Sequence, residues 1–231
     1  MPAAERAQRQ RRGQVRCGVV AGPLFVGAFT VIGATRAGYD WRRFPVSSLA
    51  IGRRGWFQRA NFLFAGVLYA CAARGLVRCP RRMVGPRAVP VLVAGVGVGL
   101  IGSSVFVTGP VGDFPLGTPD PERPQDAAAR TAPTRNGRLH NLCAIPIFAG
   151  IPIAGIASAA SAVRSRDYRW ACYSAGSSLM MIASFLLFGR AFGGASRIAG
   201  KGGIFQRISI ASGFGWLTAL SLRARSSQPG R

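Results

Sequence analysis

The sequence predicts an all-α integral membrane protein, a bundle of six transmembrane helices. Three observations predict it. Six stretches of 18 to 25 residues are almost free of charge, which is the length a helix rising ~1.5 Å per residue needs to cross a hydrocarbon core of about 30 Å. Arginines crowd the short segments between those stretches, and glycine, alanine and serine recur within them. The mean hydropathy of only +0.24 averages the two kinds of segment and hides the pattern.

The first span is read at 17–34, after a basic tail over 1–16 that carries Arg6, Arg9, Arg11, Arg12 and Arg16. A signal peptide is the competing reading, with Ile32-Gly33-Ala34 as a small-residue cleavage site. The apolar run is long for that, and five later spans already hold the chain, so an uncleaved helix is expected. The second span, 57–77, admits Arg59 and Arg74 near its ends, where a long side chain reaches the interface. The third, 88–108, and the fourth, 139–163, carry Gly95, Gly97, Gly99, Gly102, Gly150, Gly155, Ser158 and Ala159. Small residues let backbones approach closely where lipid removes the hydrophobic drive between helices. Pro146 and Pro152 predict a kink in the fourth span, because each removes a ladder donor. The fifth and sixth spans cover 170–189 and 204–222, followed by a tail over 223–231.

Placing residue 1 in the cytoplasm puts sixteen basic residues inside and fourteen outside. That count hardly chooses an orientation, but the basic flank of the first helix favours N-in and C-in. The long outer loops are then 35–56 and 109–138, both rich in Pro and Gly. The expected location is a bacterial inner or plasma membrane, with the lipid bilayer as partner. Arg supplies all of the 30 basic residues except Lys201, a composition typical of a GC-rich bacterial genome together with the abundant Ala, Gly and Pro.

A net charge of +23 would suggest nucleic acid in a soluble protein. Here the arginines lie between apolar blocks and no base-reading motif accompanies them, so no nucleic-acid partner is expected. The five cysteines lack C-x-x-C spacing and read as small apolar side chains. His140 is the single histidine, and H-E-x-x-H, P-loop, G-x-S-x-G and dinucleotide motifs are absent. No metal or cofactor is expected.

The polar residues gather at the outer helix ends. Tyr39, Asp40, Ser47, Arg59, Asn61, Asp113, His140, Arg190, Gln206 and Arg207 are the candidate ligand-binding residues, with Ser48, Gln58, Thr108 and Asn141 beside them. The pattern G-x-F-Q-R opens both the second and the sixth span, as Gly55 to Arg59 and Gly203 to Arg207. Each arginine sits about one turn inside a helix N-terminus, where the dipole disfavours a cation. An anion is called for, either a carboxylate such as Asp40 or Asp113 that ties loop to helix, or the headgroup of an anionic ligand. Asp40, Asp113 and His140 are the candidates for acid and base chemistry, His140 because its ordinary pKa lies near neutrality.

These segments resemble the DUF998 family of bacterial multi-pass membrane proteins. The likeness runs through Gly33 to Asp40, Pro45 to Leu49, Gly55 to Phe62, Phe114 to Pro119, Gly137 to His140 and Gly203 to Arg207, and spans about residues 22–222. It implies a six-helix membrane bundle and no established activity. Gly109 stands where relatives carry an aspartate, and Asn136 where they carry a first histidine, so a pair used in relatives would be missing here unless Asp113 substitutes. The expected function is binding, sensing or transport of a small anionic or amphipathic ligand through an outward-facing polar pocket. The alternatives are a membrane-embedded cyclase or isomerase acting on a lipophilic substrate, and a structural or stress-related protein without ligand.

Overall fold

A computed structural model describes residues 3–111, 114–115, 134–192 and 197–226. Eight α-helices occur among them: α1 (Ala3–Ala34), α2 (Trp56–Val77), α3 (Arg81–Val84), α4 (Ala88–Val105), α5 (Arg135–Phe148), α6 (Gly150–Arg164), α7 (Tyr168–Ala191) and α8 (Gly202–Ser226). A short 3-10 turn, η1 (Val46–Ala50), lies between α1 and α2. The basic segment expected as a tail is helical from Ala3, since Ala, Arg, Gln and Glu are good helix formers and Glu5 suits the first turn.

Two helices read as one span are separated by a break. Pro146 cannot donate to the carbonyl of Leu142, nor Pro152 to that of Phe148, so one rung is missing on each side of Ala149, whose own amide still donates to the Ile145 carbonyl and whose carbonyl accepts from the Ile153 amide. Regular helical geometry lapses only at Ala149 (φ −100°, ψ −41°), so α5 and α6 form one interrupted rod. With it counted once and α3 set aside, six rods run alternately up and down and close into a ring in the order α1, α2, α4, α5–α6, α7, α8. Gly66 and Gly97 set the α2–α4 crossing: a Cβ on Gly97 would lie 2.8 Å from the Gly66 carbonyl oxygen. Ser221 fills the space left by Gly18 where α8 returns to α1. The ring interior holds Phe25, Tyr69, Leu100, Ile151, Met181, Phe214 and Trp216, all essentially buried.

Five helical stretches among the described residues are long and apolar enough to cross a membrane: Glu5–Ala34, Trp56–Val77, Ala88–Val105, Arg135–Arg164 and Tyr168–Ala191. Leu24, Val31, Phe64, Val91, Val98, Leu179 and Leu186 point outward from them, which suits lipid and not water. The last rod, α8, is less apolar, and it buries Gln206, Ser209 and Ser221 against its neighbours rather than facing lipid with them. The molecule is an all-α membrane bundle.

The end at which α1 begins is termed basal, and the end that carries η1 apical. At the basal end Arg223 bridges Asp167 at 2.7 Å, donates to the Met83 carbonyl at 2.9 Å and lies over the Trp170 ring. Asp167 also caps α7 by accepting from the Trp170 amide. That amide and the Arg223 guanidinium hold the Asp167 carboxyl below its ordinary range.

Candidate functional site

A cavity of about 310 Å³ occupies the apical half of the ring. All six rods contribute to its wall. Seven phenylalanines supply most of it: Phe25 from α1, Phe62 from α2, Phe148 from α5, Phe185, Phe188 and Phe192 from α7 and the residue following it, and Phe214 from α8. Leu100, Ala144, Ile147 and Ile210, with Pro45, Val46 and Val111 at the apical end, complete the apolar part. The polar groups are Ser47 of η1, Ser103 of α4, Thr108 beyond it, His140 and Asn141 of α5 and Gln206 of α8. Among the described residues no Asp, Glu, Lys or Arg lines the cavity.

His140 is oriented by its backbone partner. Its Nδ1 lies 2.8 Å from the Phe106 carbonyl oxygen, and because that oxygen only accepts, Nδ1 carries the proton in the neutral ring. Nε2 is left as the acceptor that the ring offers to the cavity. The Phe106 carbonyl is available because α4 ends at Val105 and no further turn claims it. Gln206 is half used: its Oε1 accepts from the Val46 amide at 2.7 Å, which leaves its NH2 group to donate. That bond also fastens η1 across the apical mouth.

The mouth is tied by a second set of contacts. Phe114 is buried against Tyr39 and Phe44, edge-on to the first. The Tyr39 hydroxyl reaches the carbonyls of Phe44 and Pro45 at 3.1 and 2.9 Å and accepts from Arg207 Nη2 at 2.7 Å. Burial pushes the Tyr39 phenol above its ordinary pKa, against the pull of Arg207. Arg36 donates to the Ile51 carbonyl at 2.6 Å and lies over the Phe114 ring.

The paired arginines of the G-x-F-Q-R repeat take up oxygens of the backbone. Arg59 Nε donates to the Ser104 carbonyl at 2.8 Å, where the last turn of α4 leaves acceptors unmatched. Arg207 Nη1 donates to the carbonyls of Trp41, Phe44 and Gly203 at 2.6, 3.2 and 3.0 Å. Asp40 turns inward on its own loop, its Oδ1 accepting from the Arg42 amide at 2.9 Å. Asn61 donates to the Phe25 carbonyl at 3.1 Å and to Gln58 at 3.3 Å. Gln58 Nε2, Asn61 Oδ1 and Ser48 Oγ are buried with no partner among the described residues.

Of the ten residues marked from sequence, Ser47, His140 and Gln206 line the cavity. Tyr39, Asp40 and Arg207 belong to the apical tie, Arg59 and Asn61 to helix contacts, and Arg190 is exposed at the end of α7. Asp113 lies outside the described residues. Sequence reasoning passed over Ser103 and the phenylalanines. Their signal was present in Phe185, Phe188 and Phe192, which recur at the spacing of one helix face. Among the described residues no three metal-ligating side chains come together.

A family model described as "Protein of unknown function (DUF998)" matches residues 19–223. No curated protein and no solved structure matches the chain.

Proposed function

The chain belongs to DUF998, a family of unknown function, and on that premise we propose that this membrane protein binds one small amphipathic molecule inside the bundle. The cavity carries the reading. Its volume of about 310 Å³ falls at the small end of ligand sites, roughly 300–1,000 Å³. Its wall is aromatic, with a few polar groups that could fix one end of a guest. His140 Nε2 accepts, the Gln206 NH2 and Ser47 hydroxyl donate, and together they suit an uncharged head such as a hydroxyl or carbonyl. An anionic head meets no cation among the described residues of the wall, and Arg59 and Arg207 are spent on backbone oxygens. With six spans and both ends of the chain inside, as the basic flank of α1 favours, the cavity faces the outer half of the membrane, and the role is binding, sensing or carriage of that molecule.

His140 favours a second reading. An imidazole with its tautomer fixed in an apolar cavity is placed to accept a proton from a bound lipophile, as an isomerase or cyclase requires. In that case His140→Gln keeps binding and loses turnover.

Photolabelling tests the binding reading. The protein in lipid nanodiscs is exposed to a long-chain alcohol carrying a diazirine, and adducts are mapped by mass spectrometry. Adducts on Phe185, Phe188 and the 140–148 segment are expected, and Ala144→Trp, which fills the cavity, should remove them while labelling of outward Leu186 and Leu179 persists. Labelling confined to outward side chains, the same in both proteins, would refute it.

A further inference from the structure

We infer that the guest enters the cavity sideways from the bilayer, through the seam between α5 and α7, with its head held in the apical leaflet. The inference rests on the binding reading above and adds where the molecule comes from. The ring is uneven. α4 packs closely on α5, α7 on α8, and α6 on α7, whereas α5 and α7 barely touch. Below Ala149, Gly155 brings α6 against Ser178 of α7, and above it α5 has no comparable packing on α7.

Among the described residues, a row of aromatic rings spans the gap. Phe148 of α5 stacks on Phe185 of α7 with centroids 4.3 Å apart, and Phe188 and Phe192 continue the row at 5.6 and 5.2 Å. All four rings line the cavity, yet none is fully buried, and Phe192 is 37 % exposed. They are therefore a wall one side chain thick between cavity and lipid. Lipid tails are as apolar as phenylalanine, so the seam has little hydrophobic reason to stay shut, and partly exposed rings turn on the fast timescale of rotamer exchange. The apical mouth is the costlier route, since opening it breaks the hydrogen bonds of Gln206, Tyr39 and Arg207. Asn141 sets the depth: it lines the cavity, is exposed, and lies in the second turn of α5, level with His140. A molecule sliding in between α5 and α7 keeps its head beside Asn141 while its apolar body follows the rings.

Reversible bridging of the seam tests the route. In a variant with the five native cysteines replaced, Phe148→Cys and Phe185→Cys are joined by a short bifunctional thiol reagent in liposomes, and the diazirine alcohol is then added to the lipid phase. The expected result is at least a tenfold slower labelling of the 140–147 segment, restored when the bridge is reduced. Labelling of the bridged protein at the unbridged rate overturns the lateral route while leaving the cavity reading standing. No interior labelling in the unbridged wild type overturns both. Should the cysteine pair fail to fold, Phe185→Ala alone should speed interior labelling severalfold, and an unchanged rate counts against the seam.

Discussion

Arg207→Met separates a structural staple from a ligand contact. The substitution keeps an apolar stem against the Phe29, Tyr39 and Trp41 rings and removes the guanidinium. Four oxygens lose a donor: the carbonyls of Trp41, Phe44 and Gly203 and the Tyr39 hydroxyl. The Trp41 carbonyl is reached from the exposed side and recovers a water, and the Gly203 carbonyl keeps its place in α8. The Phe44 carbonyl and the Tyr39 hydroxyl lie deeper, and a hydrogen bond from a charged donor contributes ~1.5–3 kcal/mol. Discounted for the partial exposure of Arg207, the loss is about 3 kcal/mol. For a chain of this size that lowers the melting temperature by roughly 6–12 °C. Unfolding followed by tryptophan fluorescence in detergent reads it directly, because Trp41 lies beside the substitution. Arg190→Met, at an exposed site, should change stability by less than about 0.5 kcal/mol. A melting temperature for Arg207→Met within about 2 °C of wild type would show that the apical tie does not depend on this side chain.

Further outcomes follow from the packing and the basal ion pair. Gly97→Val places atoms where the Gly66 carbonyl and the Ala70 amide already lie, each 2.8 Å from the added Cβ; size-exclusion chromatography should show loss of the monodisperse species, and a normal profile would mean that α2 and α4 can part. Asp167 has its pKa depressed by the Trp170 amide and by Arg223, so its stabilisation is present above the ordinary carboxylate range and lost as pH falls through the depressed folded value. Asp167→Asn should therefore be less stable than wild type at neutral pH and match it in acid; melting curves that differ equally at both pH values would contradict the ion pair. Gln206→Leu removes the acceptor of the Val46 amide, and hydrogen exchange at Val46 should quicken by about tenfold or more, the equivalent of a bond contributing roughly 1.4 kcal/mol.

The rods were legible in the sequence because a membrane demands long apolar runs; a helix covers each of the six stretches, although the first begins at Ala3 rather than at 17, since an apolar run does not mark where a helix of good formers starts. The interruption at Ala149 was legible through Pro146 and Pro152, which each leave one rung of the ladder unmade, since a missing donor is a local fact. The partners of Arg59 and Arg207 were not. A cation at a helix start calls for an acceptor, but a sequence names carboxylates and leaves backbone carbonyls unlabelled, and here the carbonyls of Ser104, Trp41 and Phe44 answer the call. The cavity was hidden for a related reason. Ser47, His140 and Gln206 stand out as polar, whereas Phe25, Phe62 and Phe214 look like any core until the ring closes α8 onto α1 and leaves space between them. The seam depends on how little α5 packs on α7, which no spacing of residues records.

The most direct measurement is a structure of the protein purified in lipid nanodiscs without added ligand. Elongated density between Phe25, Phe62 and Phe185, its polar end within hydrogen-bond reach of His140 Nε2, is the predicted result. A cavity closed by the phenylalanine rings, or filled with water alone, would contradict a lipophile as its occupant.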